Sequence, residues 1–460
     1  MKKFLTFFAV IFFSFAFAYS SSYSYEDLCK KVFENHPELL KLQEEYSRAL
    51  LDVRDAKAGL GPTIDLTVSG TYMVNPPVDA VYLNVDDIIN AISWPSWVTP
   101  SSTGQYIKIY DGMENTYYNF ALELTQPIWT WGKLTNAVKL YEMVAQIKET
   151  EILSKQKEIE TELETRLVTL TYLQRILETL EEEKVYAKRM VEVSENAEKS
   201  GMLLHQNVVD AKLQAKQLEM VQVEVNEQCE DQLLELERIS GIENLTIGDI
   251  DFEIDEEWFT ELLSQDRELL TLKALSDNQL TIKMLSLLKE VNALALKISK
   301  GYENWKPDVA LKLSTGYGGY RFPLLEENWL RKDDYSLNVT LGIKTTIWDG
   351  GKKLNDVARK KSEEKTTDVN KLDARTTIKK TLSSKLKEAD LCTLKIEYQE
   401  LKIESAESKI SQAETVFKSG YGSETDVLSA KIDRSNEEIE KIKQQLTRAV
   451  ACMTVLYLTE

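Results

Sequence analysis

Two long stretches, 133–199 and 352–418, contain neither proline nor glycine, and the same landmarks bracket both in one register. Ile128-Trp129 followed by Gly132-Lys133 returns 219 positions later as Ile347-Trp348 followed by Gly351-Lys352. Lys199-Ser200-Gly201 returns as Lys418-Ser419-Gly420 at the same offset, as do Val208 with Val427 and Ala211 with Ala430. Two patches so far apart keep one register only if the intervening segment has a fixed length in both halves. A rigid element explains that, because loops tolerate insertions. The element reads as a helix of about 100 Å at 1.5 Å per residue.

The second copy places Ala389, Ile396, Ile403, Ile410 and Phe417 at every seventh position, with Cys392, Gln399, Ala406 and Ala413 on a companion seam. After Gly420-Tyr421-Gly422 the chain resumes with Ile432, Ile439, Leu446 and Met453 on one seam and Ser435, Ile442, Ala449 and Leu456 on the other. Spacings that alternate three and four mark antiparallel coiled-coil packing, and a glycine at the turn suits a left-handed helix end. Each half therefore predicts a long helix, a tight tip and a returning helix of about 35 residues.

Upstream of each long helix lie two segments of period two. Ile64, Leu66, Val68 and Tyr72 alternate with Asp65, Thr67, Ser69 and Thr71, and Tyr118, Phe120, Leu122 and Leu124 alternate with Asn119, Ala121, Glu123 and Thr125. In the second half Val309, Leu311, Leu313 and Tyr317 alternate with Asp308, Ala310, Lys312 and Ser314. Tyr335, Leu337, Val339, Leu341 and Ile343 do so with Ser336, Asn338, Thr340, Gly342 and Lys344. Strands of about 9–11 residues match those of a membrane barrel, although a soluble sandwich gives the same alternation. The polar phase marks Asp65, Glu123, Lys312 and Lys344 as lumen-lining candidates. Trp129, Trp305 and Trp348, just past strand ends, are expected as an interfacial girdle.

The N-terminus turns the balance toward the membrane. Lys2 and Lys3 precede an apolar run to Ala18 that ends Ala16-Phe17-Ala18, the pattern of a secretory signal peptide over residues 1–18. No later run is long and apolar enough for a spanning helix, so insertion has to use strands. Four strands per chain are too few for a barrel, and an open edge in lipid leaves backbone groups unpaired at several kcal/mol each. Two chains would supply eight strands and three chains twelve, about the range where barrels begin.

Composition excludes other classes. With 75 Asp and Glu against 56 Lys and Arg the chain lacks the basic face nucleic acid needs. Cys29, Cys229, Cys392 and Cys452 are scattered and define neither a disulfide framework nor a metal site, and His36 and His205 are the two histidines. No nucleophile–base spacing or phosphate loop is present, so no enzyme, cofactor or metal is expected.

Motif order now resembles the TolC family of outer-membrane efflux ducts. Asn35-His36-Pro37-Glu38-Leu39 is similar to the family's Asn-x-Pro-x-Leu near the start of the first helix, and Ala56 to Pro62 to its helix-to-strand passage. Gln126-Pro127-Ile128-Trp129 and Ile347-Trp348-Asp349-Gly350-Gly351-Lys352 are similar to its strand-to-helix motif; Ser419-Gly420 with Thr425-Asp426-Val427 and Ala430 is similar to its tip. The resemblance implies an α+β membrane protein: a homotrimeric twelve-stranded β-barrel continued by a helical periplasmic barrel, built as a tandem repeat. Residues 19–240 form the first repeat, 241–262 an acidic equatorial linker and 263–460 the second.

The implied function is a passive exit duct of a tripartite efflux or type I secretion system. It would sit in the outer membrane and take cargo from a periplasmic adaptor and an inner-membrane pump of resistance-nodulation or ABC type. Gly201, Val208, Gly420 and Val427 become the expected adaptor contacts at the tips, and Asp210 and Asp426 the candidates for a pore constriction. Asp426 reads equally as a helix cap. There are departures: Asn207 stands where the family usually has Asp, and Phe417 and Gly422 stand where some members carry Tyr and Arg. The run Asp249–Glu257 with Trp258 is expected as solvated surface. The competing reading is a periplasmic coiled-coil scaffold with a soluble sheet domain.

Overall fold

The computed structural model describes residues 23–74, 78–110, 112, 114–302, 305–320 and 335–459. The signal peptide expected over 1–18 lies outside the described residues. The chain runs β1 (Tyr23–Ser24), α1 (Tyr25–Asn35), α2 (Pro37–Ala58), β2 (Thr63–Tyr72), β3 (Val81–Asn84), α3 (Val85–Ala91), β4 (Tyr106–Tyr110), β5 (Thr116–Trp129), α4 (Lys133–Lys199) and α5 (His205–Ser240). It continues with β6 (Ile250–Asp251), α6 (Glu256–Ser264), α7 (Arg267–Ala274), α8 (Leu280–Gly301), β7 (Asp308–Gly319), β8 (Tyr335–Lys344), α9 (Lys352–Lys418) and α10 (Glu424–Thr459). α4 and α9 are both 67 residues long, and α5 and α10 are both 36.

The elements divide into a helical and a sheet unit. In the helical unit α4 pairs antiparallel with α5 and with α10, and α10 pairs with α9. Cross-helix ion pairs trace the order: Lys212–Glu195 at 2.7 Å joins α5 to α4, Arg189–Glu424 at 2.8 Å joins α4 to α10, and Lys402–Glu437 at 3.0 Å joins α9 to α10. α4 is central, with Ile159, Leu163, Leu167, Leu170, Leu173, Ile176 and Leu180 buried. On α9 and α10 the buried positions Ala389, Cys392, Ile396, Ile403 and Ala406 meet Ile432, Ser435, Ile439, Ile442 and Ala449 at coiled-coil spacing. α5 and α9 have one neighbouring long helix each. They leave Leu213, Met220, Val223 and Leu234, and Leu391, Leu394, Tyr398 and Leu401, exposed.

The acidic linker is solvated on one side, with Asp251, Glu253, Asp255 and Glu257 exposed, but it is also tied to the helices beneath it. Asp249 closes a capping box with Thr246, and Asp255 caps α6 by accepting from the Glu257 and Trp258 amides. β6 pairs in parallel with β1, and Ile250, Phe252, Ile254 and Trp258 pack against the core. The Glu256 carboxylate accepts from Arg175 of α4 at 2.7 Å and from Gln445 of α10 at 3.3 Å. Its acids therefore cap helices and clasp two long helices while Asp251, Glu253, Asp255 and Glu257 stay exposed, and Phe259 and Leu262 go inside.

In the sheet unit β2, β5, β7 and β8 form one antiparallel sheet in that order. They span 10, 14, 12 and 10 residues, long enough to cross hydrocarbon when tilted. Pro127, which cannot donate to a ladder, sits at a register shift between Pro127 and Trp129, where a bulge tolerates it. A separate two-stranded sheet, β3 with β4, occupies the long connection before β5. Asp86 staples that connection, accepting from Ser102 Oγ at 2.5 Å and from the Thr103 and Gly104 amides at 2.6 and 2.9 Å. These bonds hold its carboxyl down at about 2. Phe259→Ala removes a side chain that is 1% exposed. It is expected to lower stability by about 3–5 kcal/mol in denaturant titrations, the cost of a large core cavity; a loss below about 1 kcal/mol would mean the linker is only loosely seated.

Candidate functional site

Directly paired residues of an antiparallel sheet project to the same face. Asp65 pairs with Glu123, Glu123 with Ser314, Thr125 with Lys312, and Asp308 with Lys344. The register thus brings Asp65, Glu123, Lys312 and Lys344 onto one face, where Lys312 Nζ lies 2.8 Å from Glu123 Oε2. The other face carries Ile64, Leu66 and Val68, then Phe120, Leu122 and Leu124, then Val309, Leu311 and Leu313, then Leu337, Val339, Leu341 and Ile343. On the two edge strands these apolar side chains are largely exposed, Leu66 and Leu337 to 69%. β2 and β8 each have one partner strand, so among the described residues one long edge of each has no partner strand.

Aromatic side chains gather at both ends of the sheet. Trp131 packs edge-on to Trp129 and Trp305, at 6.0 and 5.4 Å, and its indole donates to the Pro307 carbonyl at 2.9 Å. Trp348 is exposed beyond β8. At the opposite end Tyr317 stands 6.2 Å from Phe120 and 5.4 Å from Tyr335, and Tyr117 stands 5.7 Å from Tyr320. Sequence reasoning missed this second belt and Trp131; the tyrosines closing each alternating run were the available signal.

The recurrent strand-to-helix motif has a conformational cause. Gly350 and Gly351 both adopt left-handed φ, +71° and +87°, and in the first repeat Trp131 and Gly132 do so at +54° and +77°. A left-handed non-glycine costs about 1–2 kcal/mol, which the tryptophan packing and the Pro307 bond offset. Lys133, the next residue, is buried and pairs with Asp308 at 2.5 Å, while Asp349 caps α9 through the Gly351 and Lys353 amides.

The tips are matched helix terminations. Met202 N–H donates to Ala197 and Gly201 N–H to Glu198; Tyr421 N–H donates to Val416 and Gly420 N–H to Phe417. Both form the Schellman pattern, with Gly201 and Gly420 at +75° and +78°. Val208 and Val427, expected with the glycines as partner contacts, are only 2% and 7% exposed, so they are packed within the chain. Met202, Leu204 and Tyr421, which the sequence reading passed over, form the apolar outer surface of the tips. Asp426 accepts from the Ser423 amide at 3.2 Å while Ser423 Oγ accepts from the Asp426 amide at 3.2 Å, a reciprocal capping box. Asp210 is exposed and accepts from Gln206 at 2.8 Å, and His205 Nδ1 lies 2.8 Å from Glu198 Oε1. Among the described residues no cluster of three metal-ligating side chains exists, and no helix is long and apolar enough to cross a membrane.

The chain thus combines long helical hairpins with a two-faced antiparallel sheet. Residues 28–242 match the family model described as outer membrane efflux protein. No curated protein matches the chain in sequence. Among solved structures it resembles the outer-membrane protein VceC of Vibrio cholerae at 16% identity and a TM-score of 0.73, covering 95% of this chain and 96% of that one. It also resembles a membrane protein from Pseudomonas aeruginosa, at 12% identity and a TM-score of 0.74, covering 95% and 93%. The CmeC outer-membrane channel of Campylobacter jejuni matches at 14% and 0.72, covering 95% and 85%. The resemblance to TolC-like efflux channels is thereby borne out.

An added Cβ at Gly201 or Gly420 meets nothing within 4 Å. Gly201→Val and Gly420→Val therefore carry only the conformational cost of left-handed backbone, about 1–2 kcal/mol. Amide exchange should accelerate across 196–206 or 415–424 with the sheet unit unaffected; unchanged exchange would mean the glycines do not hold the turns.

Proposed function

We propose that this chain is one subunit of a passive exit duct in the outer membrane. Three copies would close a twelve-stranded barrel whose helices extend into the periplasm. The observation that carries this reading is the sheet: one face mostly apolar and, on the edge strands, exposed, the other polar, and both edges without a partner strand among the described residues. Hydrocarbon covers such an apolar face, and only closure by further copies satisfies the edges. The exposed rows on α5 and α9 support the same conclusion in the helical unit, since each offers a face for a neighbouring copy. A soluble periplasmic scaffold would leave the apolar sheet face in water. Cargo passes from an inner-membrane pump of resistance-nodulation or ABC type through an adaptor that meets the exposed Met202, Leu204 and Tyr421 around Gly201 and Gly420. Efflux of small molecules and type I secretion of proteins both fit this arrangement.

The sheet assignment is tested by cysteines placed one at a time in outer-membrane preparations. Those at Asp65, Glu123, Lys312 and Lys344 are expected to react with a water-soluble thiol reagent, and those at Leu66, Leu122, Leu311 and Leu341 only with a lipid-phase one. Equal reactivity of the two sets would remove the barrel reading.

At the tips, Asp426 is both a cap and, in three copies, a candidate ring of charge with Asp210. Asn caps about as well as Asp, so Asp426→Asn is expected to leave thermal stability unchanged. It should lower cation selectivity, read as reversal potential in planar bilayers, because a carboxylate ring attracts cations. Selectivity unchanged in the double variant with Asp210→Asn would leave Asp426 as a cap alone.

A further inference from the structure

The buried seam of α4 approaching its tip reads Ile176, Leu180, Glu183, Ala187, Met190 and Ser194, spaced four, three, four, three and four. One of the six is ionisable. Glu183 is only 4% exposed, and its Oε2 has no hydrogen-bond partner. Packed cores accept carboxylates when these are paired or neutral, and here the facing charge is another acid, Asp433 of α10. The same face of α4 meets α10 at the next two turns. Lys431 lies over the Tyr186 ring at 5.8 Å, and Arg189 donates to Glu424 at 2.8 and 3.3 Å. Two rungs attract, and the third repels once Glu183 is charged.

The cations around it are already engaged. Lys184 bonds Glu181 and, on α5, Gln222; Lys431 pairs with Glu414 of α9; Arg434 pairs with Glu407 of α9 and with Glu438; Arg189 also pairs with Glu192. Lys402 of α9 is committed to Glu437.

We infer that Glu183 is a proton-operated latch between the two repeats: protonated, it lets α4 and α10 close against each other above the tips, and ionised, it loosens them. Burial first, and the Asp433 charge second, push its carboxyl up to about 7. The sign follows from linkage. The closed seam holds the proton more tightly than an open one, so closure is favoured most in acid, below the ordinary carboxylate range. That advantage is lost as pH rises toward 7. The latch rests on the helix seam alone and does not require the channel reading.

The test is hydrogen–deuterium exchange on the full chain purified in detergent, at about pH 5 and pH 7.5, after correction for intrinsic exchange. Wild-type amides in 180–194 and 424–435 are expected to open about tenfold more readily at the higher pH. Glu183→Gln, which keeps the shape of the protonated side chain, should abolish that excess. Asp433→Asn should shrink it without removing it. A wild type with no excess, or an excess that persists in Glu183→Gln, overturns the latch; an Asp433→Asn response equal to wild type overturns the part assigned to Asp433.

Discussion

Every strand in a sheet carries a donor and an acceptor on each edge, and those groups must be met by backbone, side chain or water. Among the described residues β2 and β8 each leave one edge without a partner strand, beside a face of Ile, Leu and Val that water does not solvate well. That constraint is what the rest of the molecule answers to. It leaves an apolar face and two edges that call for further partners, and gathers the polar side chains on the opposite face. It also makes the strand-to-helix passages decisive, because they carry the chain from the two-faced sheet into the long helices. Trp131 shows how tightly that passage is held: a bulky residue is kept in backbone space normally left to glycine by two aromatic neighbours and one carbonyl.

The fold was largely legible because its signals are long-range and redundant. Period two survives across four strands, and the offset between repeats forces equal helix lengths, so Lys133–Lys199 and Lys352–Lys418 emerge from punctuation alone. The acidic linker was legible as exposed surface but not as a clasp, because composition is blind to geometry. Asp249, Asp255 and Glu256 look like a solvated run, yet each has a specific partner that only the folded chain supplies. The β3–β4 insert was not legible as structure, since its staple depends on Asp86 meeting Ser102 and Thr103 across a loop.

The site was legible by phase more than by contact. Strand alternation suffices to place Asp65, Glu123, Lys312 and Lys344 on a common face, and the register agrees. At the tips, repeat matching singled out Val208 and Val427 because they recur. Recurrence there reflects packing: both are buried. Residues that differ between the tips, Met202 and Leu204 against Tyr421, carry no repeat signal and could not be found that way. Glu183 escaped for a related reason, since a glutamate beside two others reads as surface until the seam is laid over it.

The equal lengths of α4 and α9 restrict how such a chain can change. Adding a single residue to one long helix advances its tip by about 1.5 Å and turns it by about 100°, which would point its seam away from its neighbours. The returning helix would fall out of step as well. Only whole seven-residue steps, taken by the descending and returning helices of both halves together, restore every contact. The reach of the tips is therefore quantised in steps of about 10 Å. Point substitution can adjust the tip surface freely, whereas a change of reach needs four coordinated insertions.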